Sequence, residues 1–334
     1  MKLSDLGEFG LIERIKNLVA IDSKNILVGI DDDAAAVQIA RDKILLATTD
    51  ALIEGVHFDL EYFNFYQLGW RALAASLSDI AAMAGQPLYA LASLGLPSNL
   101  DVESALDLYR GMKALGDEFQ TVIVGGDTTQ SPERVFISIT VLGQVTQQKL
   151  VRRSGAKVGD AVFVTGDLGG SAAGLRALKS QNDKLKTKFA AAVGKHLTPR
   201  PRVHEAQFLV GHFPIHSMID ISDGLAAEVH HICQLSKVGA VIYEDKIPTQ
   251  SEARAAAMNF NDNPLDYALC GGEDFELLFT APVKLGEEIP KQFFEEFGIT
   301  CAHIGVIESQ DIRLMKSDGA TEALINKGYN HFSR

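Results

Sequence analysis

Thr121-Val122-Ile123-Val124-Gly125-Gly126-Asp127-Thr128-Thr129 joins an apolar, β-branched run to a Gly-Gly-Asp turn. Val122, Ile123 and Val124 suit a half-buried strand, and the paired glycines with Asp127 should end it. Just before it, residues 102–119 carry apolar side chains at helical spacing and predict an amphipathic helix. Helix, strand and polar turn form the repeating unit of a layered α/β protein.

The same alternation extends outward. Strands are expected at 25–30, 43–49, 88–96 (stopped by Pro97), 135–145, 161–165, 239–243, 276–280 and 304–307. Helices are expected at 8–20, 68–84, 171–178, 205–210, 223–235 and 251–258, with 182–188 as a polar, exposed connection. The class is α/β or α+β. A chain of 334 residues exceeds one usual core and suggests two domains of roughly 100–200 residues. The polar, basic stretch 146–160, with Gly155 and Gly159, is the best boundary, giving domains 1–148 and 149–334.

Composition narrows the function. Hydrophobic residues are 46% and charged residues 22%, ordinary for a globular chain. No apolar run approaches the ~18 residues of a membrane span. The first residues, Met1 to Asp5, lack the apolar core of a secretory signal, so the cytoplasm is expected. The net charge of −12, without a basic run, argues against nucleic acid. It also argues against an anionic substrate unless metal ions reverse the local sign. Cys233, Cys270 and Cys301 are far apart and form no C-x-x-C pair; reduced, buried thiols are expected.

The carboxylates cluster beside Gly, Ser or Thr at six places: Asp31-Asp32-Asp33 after Gly29-Ile30, Thr48-Thr49-Asp50, Leu77-Ser78-Asp79, Gly126-Asp127, Asp220-Ile221-Ser222-Asp223, and Gly271-Gly272-Glu273-Asp274. Any one alone reads as a helix cap or an Asx turn. Together they would repel and raise one another's pKa, a conflict that divalent cations resolve. Mg²⁺ takes oxygen ligands and completes its shell with water and substrate phosphate, so such a cluster suits a polyphosphate. No Walker loop or protein-kinase loop set is present. The glycines of 166–174 do not match G-x-G-x-x-G and read as a tight strand–helix turn. His230 and His231 diverge by ~100° on a helix and read as structural.

Several blocks together resemble the thiamine-monophosphate kinase family. They are Gly29-Ile30-x-Asp32-Asp33-Ala34-Ala35, Thr49-Asp50 with Gly55-x-His57-Phe58, Leu77-Ser78-Asp79-Ile80-Ala81-Ala82-Met83, Gly125-Gly126-Asp127-Thr128, Arg153-Ser154-Gly155-Ala156, Asp220-Ile221-Ser222-Asp223-Gly224-Leu225, Gly271-Gly272-Glu273-Asp274-Phe275-Glu276-Leu277 and Lys327-Gly328-Tyr329-x-His331-Phe332. They occur in the family's order and span nearly the whole chain. Single blocks are shared with the wider aminoimidazole-ribonucleotide-synthetase superfamily; Gly-x-His-Phe and the terminal Gly-Tyr-x-His-Phe are more specific.

The resemblance implies Mg²⁺-dependent transfer of the ATP γ-phosphoryl group to thiamine monophosphate. It implies an N-terminal α/β domain that pairs across a homodimer and a C-terminal α/β domain over the nucleotide. It implies metal ligands at Asp33, Thr48, Thr49, Asp50, Asp79, Asp127, Asp220 and Asp223, with Asp32 beside them. Gly126, Asp127, Arg153 and Ser222 would meet ATP, with Tyr109 near the nucleotide; His57, Glu273 and Tyr329 would meet thiamine. Two departures stand out: Asp31 replaces the glycine usual before the Asp pair, and Met83-Ala84-Gly85 reverses the usual Ala and Gly order. The second is expected to lie away from the carboxylates.

The monophosphate acceptor, with a second pKa near ~6, is already ionised at neutral pH, so no general base is required. The task is positioning and charge stabilisation. Two alternatives remain at this point. One is another superfamily enzyme, such as a cyclising synthetase, a selenophosphate synthetase or a hydrogenase-maturation enzyme. The other is a non-catalytic acidic scaffold.

Overall fold

A computed structural model describes residues 8–18, 25–30 and 32–328. Tyr329, Asp31 and the last residues of the expected first helix lie outside the described residues.

The first half opens with helix α1 (Glu8–Leu18). Its strands are β1 (Ile26–Val28), β2 (Ala35–Ala40), β3 (Lys43–Ile53), β4 (Gln86–Pro97), β5 (Val122–Ser131) and β6 (Phe136–Val145), in the spatial order β1-β2-β3-β6-β4-β5. All neighbours are antiparallel except β4 and β5. Ile44, Leu46 and Leu52 of β3 and Ile137, Ile139 and Val141 of β6 are buried on the inner face. Helices α2 (Phe65–Ala82) and α3 (Val102–Phe119) belong to this half. Asn64 caps α2, its side chain accepting the Gln67 N–H while Gln67 bonds back, a reciprocal capping box. Gly69 and Gly111 let α2 and α3 touch backbone to backbone: a Cβ on Gly69 would stand 1.9 Å from the Leu108 carbonyl oxygen, and one on Gly111 1.9 Å from that of Tyr66. The outer face of the sheet leaves Ile53, Tyr89, Leu91, Val122, Val124 and Phe136 exposed.

The second half begins at β7 (Asp160–Thr165) and continues with α4 (Gly170–Lys179), α5 (Asp183–Lys188), α6 (Ala190–Leu197) and α7 (Val203–His212). Then come β8 (Ser217–Asp220), α8 (Leu225–Ser236), β9 (Gly239–Tyr243), α9 (Ser251–Phe260), α10 (Pro264–Cys270), β10 (Leu277–Pro282), α11 (Glu288–Phe297), β11 (Cys301–Glu308), β12 (Ile312–Met315) and β13 (Thr321–Ala323). The sheet order is β13-β12-β9-β11-β7-β10-β8, antiparallel except for β9 with β12. One apolar cluster runs from Leu46 and Leu77 to Phe163 and Phe279, so the two halves share a core. The indole N–H of Trp70 on α2 also donates to the Pro199 carbonyl oxygen at 2.7 Å.

The alternation of strands and helices holds, but pairing is mostly antiparallel, which gives the mixed fold its α+β character. Three local expectations are corrected. The Gly-Gly-Asp stretch does not end its strand: β5 runs on to Ser131 because β4 pairs with it throughout, absorbing one slip at Ala90/Leu91. The connection at 182–188 is helical, since the Asn182 side chain caps the Lys184 N–H and starts α5. The stretch at Met83-Ala84 does not lie away from the carboxylates: the Ala34 N–H, next to Asp33, bonds to Met83 Sδ at 3.3 Å. Ala84 itself takes φ 57°, a conformation suited to glycine.

Candidate active site

α2, β3 and β8 bring carboxylates from distant sequence positions together. One oxygen each from Asp33, Asp79 and Asp220 lie within 4.8 Å of one another. The pleat of β3 decides which of its residues take part, because successive side chains alternate between faces. Thr48 and Asp50 point inward with Leu46 and Leu52. Thr48 Oγ1 donates to Asp79 Oδ2, and Ser76 Oγ donates to Asp50 Oδ2 at 2.7 Å. Thr49 points outward and shares hydroxyl contacts with Thr140 and Ser138. Ser78 Oγ donates to Asp220 Oδ2 at 2.6 Å.

Arg153 borders the cluster. Its Nη2 donates to Asp33 Oδ1 at 2.6 Å, and its backbone N–H reaches both Asp32 oxygens at 3.1 Å. Burial alone would lower the Arg153 pKa; the charge and hydrogen bond of Asp33, with the charges of Glu228 and Asp32, together outweigh it and hold it above the usual guanidinium value. Asp33 Oδ2 is buried with no hydrogen-bond partner among the described residues.

The electrostatics are self-opposing. Burial, then the neighbouring Asp33 charge, pushes Asp32 up to about 7. Burial raises Asp50 against the Ser76 hydroxyl. Burial, then Asp50, Asp220 and Asp33, pushes Asp79 well up; burial, then Asp33, does the same to Asp220. Buried Glu228 accepts the Asp223 N–H at 3.0 Å and is likewise pushed well up, by burial and then by Asp223 and Asp220. An all-oxygen donor set, an orphaned carboxylate oxygen and mutual repulsion fit a hard divalent cation.

The remaining expected residues are dispersed. Gly126 and Asp127 sit exposed on edge strand β5. The pairing row Asp50–Ile139–Ala92–Gly126 puts that position three strands from Asp50, about 14 Å at ~4.8 Å per strand. Tyr109 is half-buried on α3 at the core margin. Ser222 and Asp223 form the turn between β8 and α8, where the Ser222 carbonyl accepts the Glu273 N–H at 2.7 Å. His57 lies in the turn after β3, its Nδ1 accepting the Ile53 N–H at 3.0 Å.

Glu273 belongs to a second cluster that sequence reading missed. It pairs with Arg71, whose Nη1 donates to the His196 carbonyl oxygen. Asp274 accepts the N–H groups of Gly169 and Ser171 at 2.6 and 3.0 Å, filling the start of α4 with an internal carboxylate. This agrees with reading 166–174 as a structural turn. Glu276 binds Arg202 through two contacts of 2.7 Å. Burial would raise the Glu276 pKa, but Arg202 and Lys195 bring it below its usual value. Ser171 Oγ and His196 Nδ1 lie 3.0 Å apart, yet each residue is only 1% exposed, so no acceptor reaches the hydroxyl. Only the nearness of Gly and Ser to the carboxylates hinted at this neighbourhood; Arg71 and His196 carry no local motif.

Comparison with known proteins agrees with this geometry. Residues 31–145 match the N-terminal domain of the AIR synthase related proteins, and residues 157–316 match the C-terminal domain. The chain is 39% identical over 282 residues to the thiamine-monophosphate kinase of Aquifex aeolicus, covering 84% of this chain and 88% of that one. It is 35% identical over 334 residues to that of Bacillus subtilis, covering 98% and 100%. The fold superposes on AaThiL complexed with AMPPCP and TMP with a TM-score of 0.86, at 35% identity over 99% of each chain. Hydrogenase maturation protein HypE in complex with ATP, 20% identical with a TM-score of 0.71 over 97% of each chain, shares the fold alone. The chain thus belongs to the thiamine-monophosphate kinase family, within the AIR synthase related proteins.

Proposed function

We propose that this enzyme transfers the γ-phosphoryl group of ATP to thiamine monophosphate, giving thiamine diphosphate and ADP, the last step in making thiamine diphosphate. The observation that carries the reading is the convergence of Asp33, Asp79 and Asp220 beside Arg153 in a chain 39% identical to a kinase of that name. Mg²⁺ would be held by Asp33, Asp79 and Asp220, with Asp50, Thr48 and Asp32 at its border and Thr49, Asp127 and Asp223 assigned by family motif. When bound, it supplies positive charge against the phosphates of ATP and acceptor.

The chain's own residues orient the reactants. Arg153 offers a guanidinium to phosphate oxygens, and Gly126, Asp127, Ser222 and Tyr109 are assigned to ATP. His57, Glu273 and Tyr329 are assigned to thiamine. The acceptor phosphate is already an ionised nucleophile near neutral pH. The one described Ser–His pair is sealed from solvent, which supports direct in-line transfer.

The reading extends to assembly and place. The apolar outer face of the first sheet and the exposed edge of β5 suit a homodimer. Residues 1–148 and 149–334 are assigned as its two domains. No helix of the described residues is long and apolar enough to cross a membrane. Three free cysteines and the use of ATP support a cytoplasmic enzyme.

The test is an assay of the purified protein with ATP, Mg²⁺ and either thiamine monophosphate or free thiamine. Thiamine diphosphate should form from the first, and the second should be inert because its neutral hydroxyl lacks a positioned base. Turnover of free thiamine at a comparable rate, or none with the monophosphate, refutes the proposal.

A further inference from the structure

Arg71 is the largest fully buried side chain among the described residues, with the residue 1% exposed. A guanidinium is costly to bury unless it is paired and hydrogen-bonded. Its Nη1 donates to the His196 carbonyl oxygen at the end of α6, its Nη2 makes an ion pair with Glu273 Oε1 without a hydrogen bond of good geometry, and its guanidinium carbon lies 5.5 Å from the centre of the Phe63 ring. The arginine comes from α2 in the first half of the chain, and both polar partners come from the second half. A bland account makes it a weld between the halves.

Three observations take it further. Glu273 is not buried with its partner: its side chain is 35% exposed, and its second oxygen stands 3.8 Å from His196 Nδ1, beyond hydrogen-bond reach. That Nδ1 is already engaged by Ser171 Oγ at 3.0 Å. Glu273 also holds φ 65° and Phe275 holds φ 50°, left-handed conformations in two non-glycine residues that flank the buried Asp274. Such strain persists only where surrounding contacts enforce it. Phe63 lies 5.6 Å from His196, ring centre to ring centre, and its neighbour Tyr62 lies 6.4 Å from the same ring. The result is a carboxylate held at one oxygen, open at the other, beside aromatic rings. That chemistry suits an aromatic heterocycle bearing an amino group, whose N–H the free oxygen accepts, with the partly exposed Tyr62 ring at its border.

We infer that Arg71 is a positioning residue for acceptor recognition: it fixes the Glu273 carboxylate so that its free oxygen meets the thiamine moiety. This rests on the proposed acceptor and on the assignment of Glu273 to it. Arg71 itself touches no substrate, and the phosphoryl-transfer centre of Asp33, Asp79 and Asp220 does not depend on it.

The test is steady-state kinetics of full-length Arg71→Gln, Arg71→Lys, Glu273→Gln and the Arg71→Gln/Glu273→Gln double variant, with ATP and thiamine monophosphate varied in turn. Arg71→Gln should raise KM for thiamine monophosphate roughly tenfold, while KM for ATP and kcat stay within about twofold. Arg71→Lys, which keeps the charge but loses the planar fork, should fall between wild type and Arg71→Gln. The double variant should be no worse than Glu273→Gln alone, because the arginine acts through the carboxylate. Equal rises in both KM values, loss of kcat alone, or additive effects in the double variant overturn the inference and leave a structural weld. If Arg71→Gln does not fold, Arg71→Lys decides: an unchanged KM for thiamine monophosphate, or a rise matched by ATP, overturns it. A wild-type protein that does not turn over thiamine monophosphate overturns the acceptor assignment itself, and this inference with it.

Discussion

Ser78 Oγ, on α2 of the first half, donates to Asp220 Oδ2, at the end of β8 in the second, across 2.6 Å. Both residues are buried, at 0% and 2% exposure, and they are 142 positions apart in sequence. The carboxylate cluster is therefore assembled by the packing of the two halves and belongs to neither alone. Ser78→Ala should leave that oxygen without its donor. A loss of about 1–3 kcal/mol in urea-denaturation stability is expected, with a raised Mg²⁺ requirement in the kinase assay. Unchanged stability together with an unchanged Mg²⁺ requirement would refute the link.

Asp79→Asn and Asp50→Asn should each cost at least about a hundredfold in activity while leaving the metal-free fold intact. Each removes one charge from a group that repels itself, and each keeps an oxygen for Thr48 or Ser76. Circular dichroism and turnover measured together check this. A loss of activity that merely tracks unfolding counts against it.

Metal-free stability should fall as pH rises. Asp32 titrates at about 7 in the folded chain, and Asp79 and Asp220 lie well above their usual range, in each case first through burial and then through neighbouring carboxylates. Unfolded carboxylates titrate near about 4. Between those limits the folded protein binds more protons than the unfolded chain, so the stability present at low pH is lost as pH climbs through the folded values. Mg²⁺ bound there as proposed would displace those protons, so its stabilising effect should grow over the same window. Thermal melts with and without Mg²⁺ at about pH 5 and about pH 8 test the sign; an Mg²⁺ shift no larger at the higher pH contradicts it.

Val124→Lys should weaken the proposed homodimer. Val124 is 55% exposed on β5 beside Leu91 and Tyr89 of β4, where a buried lysine would cost the interface its apolar contact. Sedimentation equilibrium should show the dimer dissociation constant raised by tenfold or more, ~1.4 kcal/mol. A wild-type monomer at micromolar concentration would remove the basis of the homodimer.

Gly69→Ala should destabilise the protein by about 1–3 kcal/mol or more, as overpacked cores do. Its new Cβ meets the Leu108 backbone, which has no flexible end to move aside. Thermal denaturation reads the effect, and a melting temperature equal to wild type would mean the helices separate at little cost.

Most elements were legible because their cause is local. The α3 range agrees with the apolar spacing of residues 102–119, and β9 with the run at 239–243. β2 at Ala35–Ala40 was missed, because its alanines give a weak strand signal and its pairing with β3 supplies what propensity does not. α6 was missed although alanine favours helices: eight residues with Gly194 among them are too short to show a 3.6-residue period, and packing against α4 settles it by burying Ala192 and His196.

The sequence by itself determined the alternating class, the carboxylate inventory and its need for a counter-charge, since residue types and their spacing carry that chemistry. Tertiary structure alone decided which carboxylates meet. The pleat of β3 turned Thr48 and Asp50 inward and Thr49 outward, and sheet order set Asp127 three strands away from Asp50. The joint between Arg71 and Glu273 was likewise invisible in sequence. Contacts of that kind depend on how two halves pack, and no local spacing encodes them.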